Sequence, residues 1–303
     1  MILRGPDNSF LSGLFIRGFL LALLIMLMAQ PSATSEIDPL ESSIDSPETF
    51  LPESEIGNIR IRSFEDRYLR QVREETPLRE TALVSGEKLV FSVRFGPLRA
   101  GEATLEFSEA LDQRNRPVYR IQSRAQSNSF VSSFYRVDDH IESLIDRDYL
   151  TPVHFEKHLR EGKYESDRVV KMDQDNHFAI YEGGEIYEMP PRAHDVLSAF
   201  YYVRAMKMAV GDTLRLSSHS DKKNYPIDVI VHRKEKVKVP AGEFNCFVIE
   251  PKVSSSALFN SKGKLWIWIT DDERRIPVLM KSEIPVGSID AVLTRLEGRP
   301  DRN

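Results

Sequence analysis

The sequence predicts a mainly β protein, an antiparallel barrel or strongly curved sheet with one core helix at about 195–208. Three observations lead there. From Gly86 onward, short segments alternate apolar and polar residues and are separated by turn residues, the pattern of half-buried strands in a sandwich or barrel. Asp195–Met208 is the one strong helix signal in that region. No strand–helix alternation of the kind that builds a parallel sheet is present.

The helix reading rests on its ends and its girth. Pro190 and Pro191 end the preceding strand, and Asp195 is an N-cap whose carboxylate can accept the free N–H groups of the first turn. Gly211 is read as the C-terminal stop. Val196, Leu197, Ala199, Phe200, Tyr201, Val203, Ala205 and Met206 cover most of the circumference. A stripe that wide belongs to a helix enclosed by other structure.

The strands follow in order. Lys88–Phe95 alternates, Gly96-Pro97 turns, and Ala103–Phe107 resumes. Asn115-Arg116-Pro117 turns again into Val118–Ser127, and Phe130–Tyr135 reads as a helical turn. Arg136–Asp146, Pro152–Arg160, Lys163–Met172, His177–Tyr181 and Glu185–Met189 continue a meander, with Gly183-Gly184 as a hairpin turn. After the helix come Thr213–Ser218, Ile227–Arg233, Lys236–Val239, Phe244–Pro251, Lys264–Thr270, Val278–Ile284 and Ser288–Glu297, about a dozen strands in all. One closed barrel and two sheets joined at the helix remain equally open.

The N-terminus carries a different message. Arg4 and Arg17 precede the apolar run Gly18–Ala29, which is short for a membrane span and the right length for a secretion signal. Ala33-Thr34-Ser35 supplies small residues for cleavage before Glu36, so 1–35 is read as a signal peptide of an exported, periplasmic protein. No cysteine lies there, so a lipid-modified N-terminal cysteine is not expected. Residues 36–85 are read as a disordered acidic linker with a short amphipathic helix at Ile59–Glu75, and 86–298 as the β domain.

Composition narrows the function classes. The 303 residues carry a net charge of -5, a poor match to non-specific nucleic-acid binding. Cys246 is the sole cysteine, so no intrachain disulfide can form, and its alternating neighbours place it as a buried thiol. A phosphate loop, a dinucleotide-binding glycine fingerprint and a nucleophile elbow are all absent from the sequence. No catalytic residue, metal ligand set or cofactor is assigned, and no membrane span is expected in the mature chain.

The candidates that remain are binding residues. Trp266 and Trp268 project from one face of Lys264–Thr270, and Leu265, Ile267 and Ile269 from the other, so the strand is apolar on both sides. Packing explains this; so do two indoles lining an apolar ligand cavity. Arg204, enclosed with its helix, needs a carboxylate or an anionic head group, because an unpaired buried charge is costly. Tyr201, Tyr202, Arg204, Trp266 and Trp268 are therefore the candidate ligand-lining set. His154, Glu156 and His158 share one strand face, which a solvated polar surface explains better than zinc. Asp271 and Asp272 end a strand and can pair with Arg274 or Arg275.

Several of these pieces recur together in a known family. Gly86-Glu87-x-Leu89-x-Phe91 is followed by Ala100-Gly101, then by Asp195-x-Leu197-Ser198-x-x-Tyr201-Tyr202-x-Arg204. Val239-Pro240-Ala241-Gly242-x-Phe244-x-Cys246, Trp268-Ile269-Thr270-x-Asp272, Arg275-x-Pro277 and Gly287-Ser288 complete the series. In this order they resemble the bacterial family of exported proteins catalogued as domain of unknown function 3108, with Thr270 where serine is commoner. The resemblance covers roughly Gly86–Glu297 and implies an exported, mostly β domain with no assigned activity. A looser similarity is to periplasmic carriers that hold acyl chains in a curved sheet.

Three functions are carried forward. The first is a non-enzymatic envelope protein binding an apolar or amphiphilic ligand, such as a lipid, in a barrel-like cavity. The second is a structural or assembly factor of the envelope acting through protein partners. The third is an envelope hydrolase.

Overall fold

The computed structural model describes residues 82–253, 264–284 and 287–298. The signal-like run, most of the linker and the Ile59–Glu75 segment lie outside the described residues. The strands are β1 (Glu87–Phe95), β2 (Leu98–Leu111), β3 (Pro117–Ser127), β4 (Asp138–Ile145), β5 (Pro152–Glu161), β6 (Tyr164–Asp173), β7 (Phe178–Tyr181) and β8 (Ile186–Glu188). Then come β9 (Thr213–Ser220), β10 (Lys223–Val239), β11 (Gly242–Val253), β12 (Lys264–Thr270), β13 (Pro277–Ile284) and β14 (Gly287–Glu297). Two helices join them: α1 (Ser129–Ser132) between β3 and β4, and α2 (Val196–Ala205) between β8 and β9.

All fourteen strands form one antiparallel sheet in the order β8-β7-β6-β5-β4-β3-β2-β1-β14-β13-β12-β11-β10-β9. Two meanders, β1–β8 and β9–β14, are thus fused where β1 pairs with β14, Lys88 opposite Glu297 and Phe95 opposite Ile289. The choice between one sheet and two resolves to one. It does not close, because β8 and β9 share no ladder.

The register defines the faces. Glu87, Leu89 and Phe91 stand opposite Phe107, Leu105 and Ala103, and Phe107 stacks on Tyr201 of α2 at 5.5 Å between ring centres. This is the concave face, and α2 lies against it. Val93, Ala291, Met280 and Ile267 continue the same face across β14, β13 and β12. Leu89, Phe91, Val93, Ala291 and Tyr201 have no measurable exposure. Each large apolar side chain buried this way contributes about 1.5–3 kcal/mol. That burial, rather than helix propensity, holds a ten-residue helix in place.

Some element limits move. α2 ends at Ala205, and Met206 is already extended, so Gly211 is not its stop. Gly211 instead takes φ +96° in the turn into β9, where its N–H donates to Val231 O at 2.8 Å. Ile227–Arg233 and Lys236–Val239 are one 17-residue strand, β10, with a bulge between Val231 and Arg233. The interrupted alternation that splits them in the sequence is that bulge. Residues 82–85 belong to the packed domain rather than to a linker: Ala82 is fully buried.

Candidate functional site

The most deeply buried charge belongs to Arg204 in the last turn of α2. One Nη2 donates to Glu87 Oε1 at 2.7 Å, and Nε donates to Arg275 O at 3.0 Å. Glu87 Oε2 accepts from Arg274 at 2.9 Å, so one carboxylate joins α2, β1 and the β12–β13 turn. The guanidinium also lies 4.7 Å from the Tyr201 ring centre. Burial pushes the Tyr201 hydroxyl up, against the opposing pull of Arg204. The carboxylate that Arg204 requires is therefore supplied from within the chain.

The other candidate lining residues separate. Tyr202 is half-buried on another side of α2, its ring 4.5 Å from that of His194. Trp266 and Trp268 point away from the concave face, because Ile267 and Leu265 hold the inward register of β12. They are covered from outside by β10: the Trp268 indole N–H donates to Glu235, and Trp266 lies against His232 at 5.1 Å. The tip of the β10–β11 hairpin reaches across to β14, where Ala241 N–H donates to Leu293 O at 3.3 Å. A folded-over hairpin is why β12 is apolar on both faces.

At the other end of α2, the Asp195 carboxylate accepts from the N–H groups of Leu197 (2.7 Å) and Ser198 (2.9 Å) and from Ser143 Oγ at 2.6 Å. Burial raises its pKa to about 6 despite these donors. His194 pairs its backbone with Ser218 of β9, and burial lowers its imidazole pKa to about 3, so it is neutral.

The edges that share no ladder are joined by side chains. Lys157 of β5 donates to both Asp221 oxygens at 2.9 and 3.0 Å. Tyr181 of β7 meets His219 Nε2 at 3.0 Å, and the Lys222 N–H donates to the Tyr181 oxygen at 2.6 Å. His219 Nδ1 lies 2.7 Å from Asn224 Oδ1 and must be the protonated nitrogen, which leaves Nε2 to accept from Tyr181. Burial holds His219 below its usual pKa and raises Tyr181 to about 12, in keeping with neutral partners. Asn224 also donates to Glu188 O at 2.9 Å, and Lys222 pairs with Glu185 at 2.5 Å. Asp221 and Lys222 both have positive φ, 46° and 67°, the conformation of a tight two-residue hairpin. This seam encloses a cavity of about 10 Å³ lined by Lys157, Tyr181, Asp195, His219 and Asp221 among others. That is room for one water.

A second buried pair lies on the same face: Asp139 of β4 and Glu161 of β5. Burial and their mutual repulsion raise Asp139 to about 8, and burial raises Glu161. Asp139 Oδ1 accepts from Arg160 N–H at 2.9 Å.

On the convex side, His154, Glu156 and His158 project together. Glu156 accepts from His158 at 2.8 Å, Asp167 contacts the other His158 nitrogen at 2.7 Å, and these carboxylates raise the His158 pKa. Asp272 accepts the N–H groups of Arg274 (3.0 Å) and Arg275 (3.1 Å), and Asp271 pairs with Lys234 and Arg275, so both work as turn residues. Cys246 is buried and its thiol is pushed up to about 12.

A groove of about 740 Å³ lies at one end of the sheet, open to solvent. The turns β2–β3, β4–β5 and β6–β7 line it, with Arg114, Arg116 and Lys171 facing Asp112, Asp148 and Asp173. Sequence reasoning passed over this groove because its residues come from three turns. It also missed Lys157, although Phe155, Lys157 and Leu159 share one strand parity and thus one buried face.

Among the described residues no helix is long and apolar enough to cross a membrane. No curated protein is similar enough in sequence to match the chain. The fold resembles a β-barrel-like protein of domain of unknown function DUF1849 from Brucella abortus, with TM-score 0.50 and 9% identity over 72% of this chain and 100% of that one. A candidate lipoprotein from Parabacteroides distasonis (TM-score 0.31, 9% identity, 74% and 100% covered) is a more distant match. So is a candidate exported protein with YmcC-like fold from Bacteroides fragilis (TM-score 0.24, 13% identity, 71% and 97% covered). The model of the protein family of unknown function DUF3108 matches residues 90–294, from β1 to β14, and the chain belongs to that family.

Proposed function

We propose that this is a non-enzymatic protein of the cell envelope, exported to the periplasm, that serves as a structural or assembly factor through its outer surface. One observation carries the reading. The concave face, where a carrier of this architecture would hold an acyl chain, is occupied by α2 and by inward side chains such as Phe91, Phe107 and Tyr201. The cavity at the seam has about 10 Å³, whereas the groove at the end of the sheet has about 740 Å³. Interleaved charges and amides in that groove suit an extended polar segment of a protein partner better than a lipid tail.

A second reading is the amphiphile carrier, with Tyr201, Tyr202, Arg204, Trp266 and Trp268 as its lining. It is favoured by the seam, which side chains rather than a ladder hold shut. In-cell photo-crosslinking separates the two. A photoreactive residue replacing Arg116 in the groove is expected to capture one defined envelope protein. The same residue replacing Tyr202 is expected to capture nothing. Lipid adducts at 202 with none at 116 would reverse the choice.

A further inference from the structure

The antiparallel order places the β1–β2, β3–β4 and β5–β6 connections at the end of the sheet opposite the groove. Hydrogen bonds tie them into one rim. Asn128 N–H donates to Ala100 O (2.9 Å), its side chain donates to Arg99 O (2.6 Å), and Gly162 N–H donates to Arg136 O (2.7 Å). The Tyr135 ring packs directly over Gly162. Asn128 also caps α1 by accepting from Val131 N–H at 2.9 Å, and Val131 is the buried anchor of that turn.

What this braced rim holds outward is apolar. Phe130 and Phe134 are each 63% exposed, one helical turn apart, with ring centres 5.7 Å apart. Tyr164 is 56% exposed and Leu98 40%. Two phenylalanines packed on each other in water, on a backbone fixed by hydrogen bonds, mark an interaction surface.

Charge selects the partner. The rim segments 95–98, 128–136 and 162–164, with adjoining Arg94, Arg99 and Glu165, carry four basic residues (Arg94, Arg99, Arg136 and Lys163) and one acidic residue, Glu165, which faces Arg160 at 3.9 Å, in a chain of net charge -5. The carboxylates that pair with Arg99 and Arg136, Glu102 at 3.7 Å and Asp138 at 3.0 Å, stand behind the rim on the strands. The acidic turn with Glu182 and Glu185 marks where the basic patch ends. The groove end leans the other way, with Asp112, Asp146, Asp148, Asp173 and Asp175 in its turns against Arg114, Arg116 and Arg147. Exposed aromatic rings among arginine and lysine match the boundary layer of an anionic bilayer: rings at the headgroup level, cations on the phosphates.

We infer that this rim docks on an anionic lipid bilayer, with Phe130 and Phe134 entering the headgroup region and the acidic groove end facing away. The inference is independent of the function proposed above.

The test uses the full chain, with an environment-sensitive nitrobenzoxadiazole label on Ser133→Cys or, at the groove end, on Gln113→Cys. Cys246 is buried and leaves each labelled cysteine distinct. Vesicles contain equal phosphatidylethanolamine and phosphatidylglycerol, with nitroxide-bearing lipids as quenchers. A local readout separates rim docking from vesicle association by any other part of the chain. The label at 133 should be quenched and blue-shifted, and the label at 113 should not. Phe130→Ser with Phe134→Ser should abolish quenching at 133 with an unchanged melting temperature. Phosphatidylcholine vesicles should reduce it several-fold. Equal quenching at both positions, or none at 133 as expected of a protein-binding surface, would overturn the inference.

Discussion

Arg204 and Glu87 are joined at 2.7 Å with both side chains buried, one at the end of the core helix and the other at the start of β1. The pair fastens α2 to the strand that fuses the two meanders. Removing Glu87 leaves the Arg204 charge in a dry interior with backbone carbonyls alone, and removing Arg204 leaves Glu87 with Arg274 as its one counter-charge. Arg204→Met and Glu87→Leu are each expected to cost about 3–5 kcal/mol in urea unfolding. The double variant should cost clearly less than the sum, and strict additivity in that cycle would remove the coupling from the account.

Asp195 fixes the opposite end of the same helix. Asp195→Ala takes away the acceptor of two backbone N–H groups and leaves the Ser143 hydroxyl buried without a partner, an expected loss of about 2–4 kcal/mol. Asp195→Asn keeps an acceptor and should lose less. Chemical denaturation of the two variants orders them.

Asp139 makes stability fall as pH rises. Its folded pKa, about 8, lies above the usual carboxylate value, so the folded state binds more protons than the unfolded one between about pH 4 and 8. The stabilisation is complete at acid pH and is lost toward pH 8. His158, whose pKa is raised, acts in the same direction near neutrality, so the comparison is with Asp139→Asn rather than with the wild-type slope alone. Between pH 7 and about 8 that variant should lose less stability than wild type. Identical slopes in thermal melts would refute the assignment.

Gly162 has φ +61°, and a Cβ there would lie 2.4 Å from the Tyr135 ring. Gly162→Ala should cost about 1–2 kcal/mol from the backbone alone, and more from displacing the ring. Adding Tyr135→Ala should recover the steric part of that cost but not the backbone part, as read from melting temperatures.

Tyr181→Phe tests the seam. It leaves the Lys222 N–H without its acceptor at a residue already in the left-handed region. Hydrogen exchange at the β9–β10 turn should quicken, with β1 and β14 unchanged.

Much of the fold was legible because period-two alternation survives wherever one face is buried: Leu89, Phe91 and Val93 announce β1 without help from other strands. The enclosing of α2 was legible from its girth, and the need of Arg204 for a counter-charge from its burial. Which carboxylate answers it was not, because Glu87 lies 117 residues away and meets Arg204 only where α2 packs on the concave face. The placement of Trp266 and Trp268 was likewise hidden. Both faces of β12 are apolar, so alternation cannot say which one meets the helix, and the covering hairpin arises from a bulge that the pattern shows only as a break.

The concave face is filled by the protein itself. Native mass spectrometry of the protein, purified without detergent from the cells that make it, addresses it directly. The expected result is the bare polypeptide mass, alone or with a protein partner. A discrete small mass that stays bound under native conditions and is lost on denaturation would contradict it.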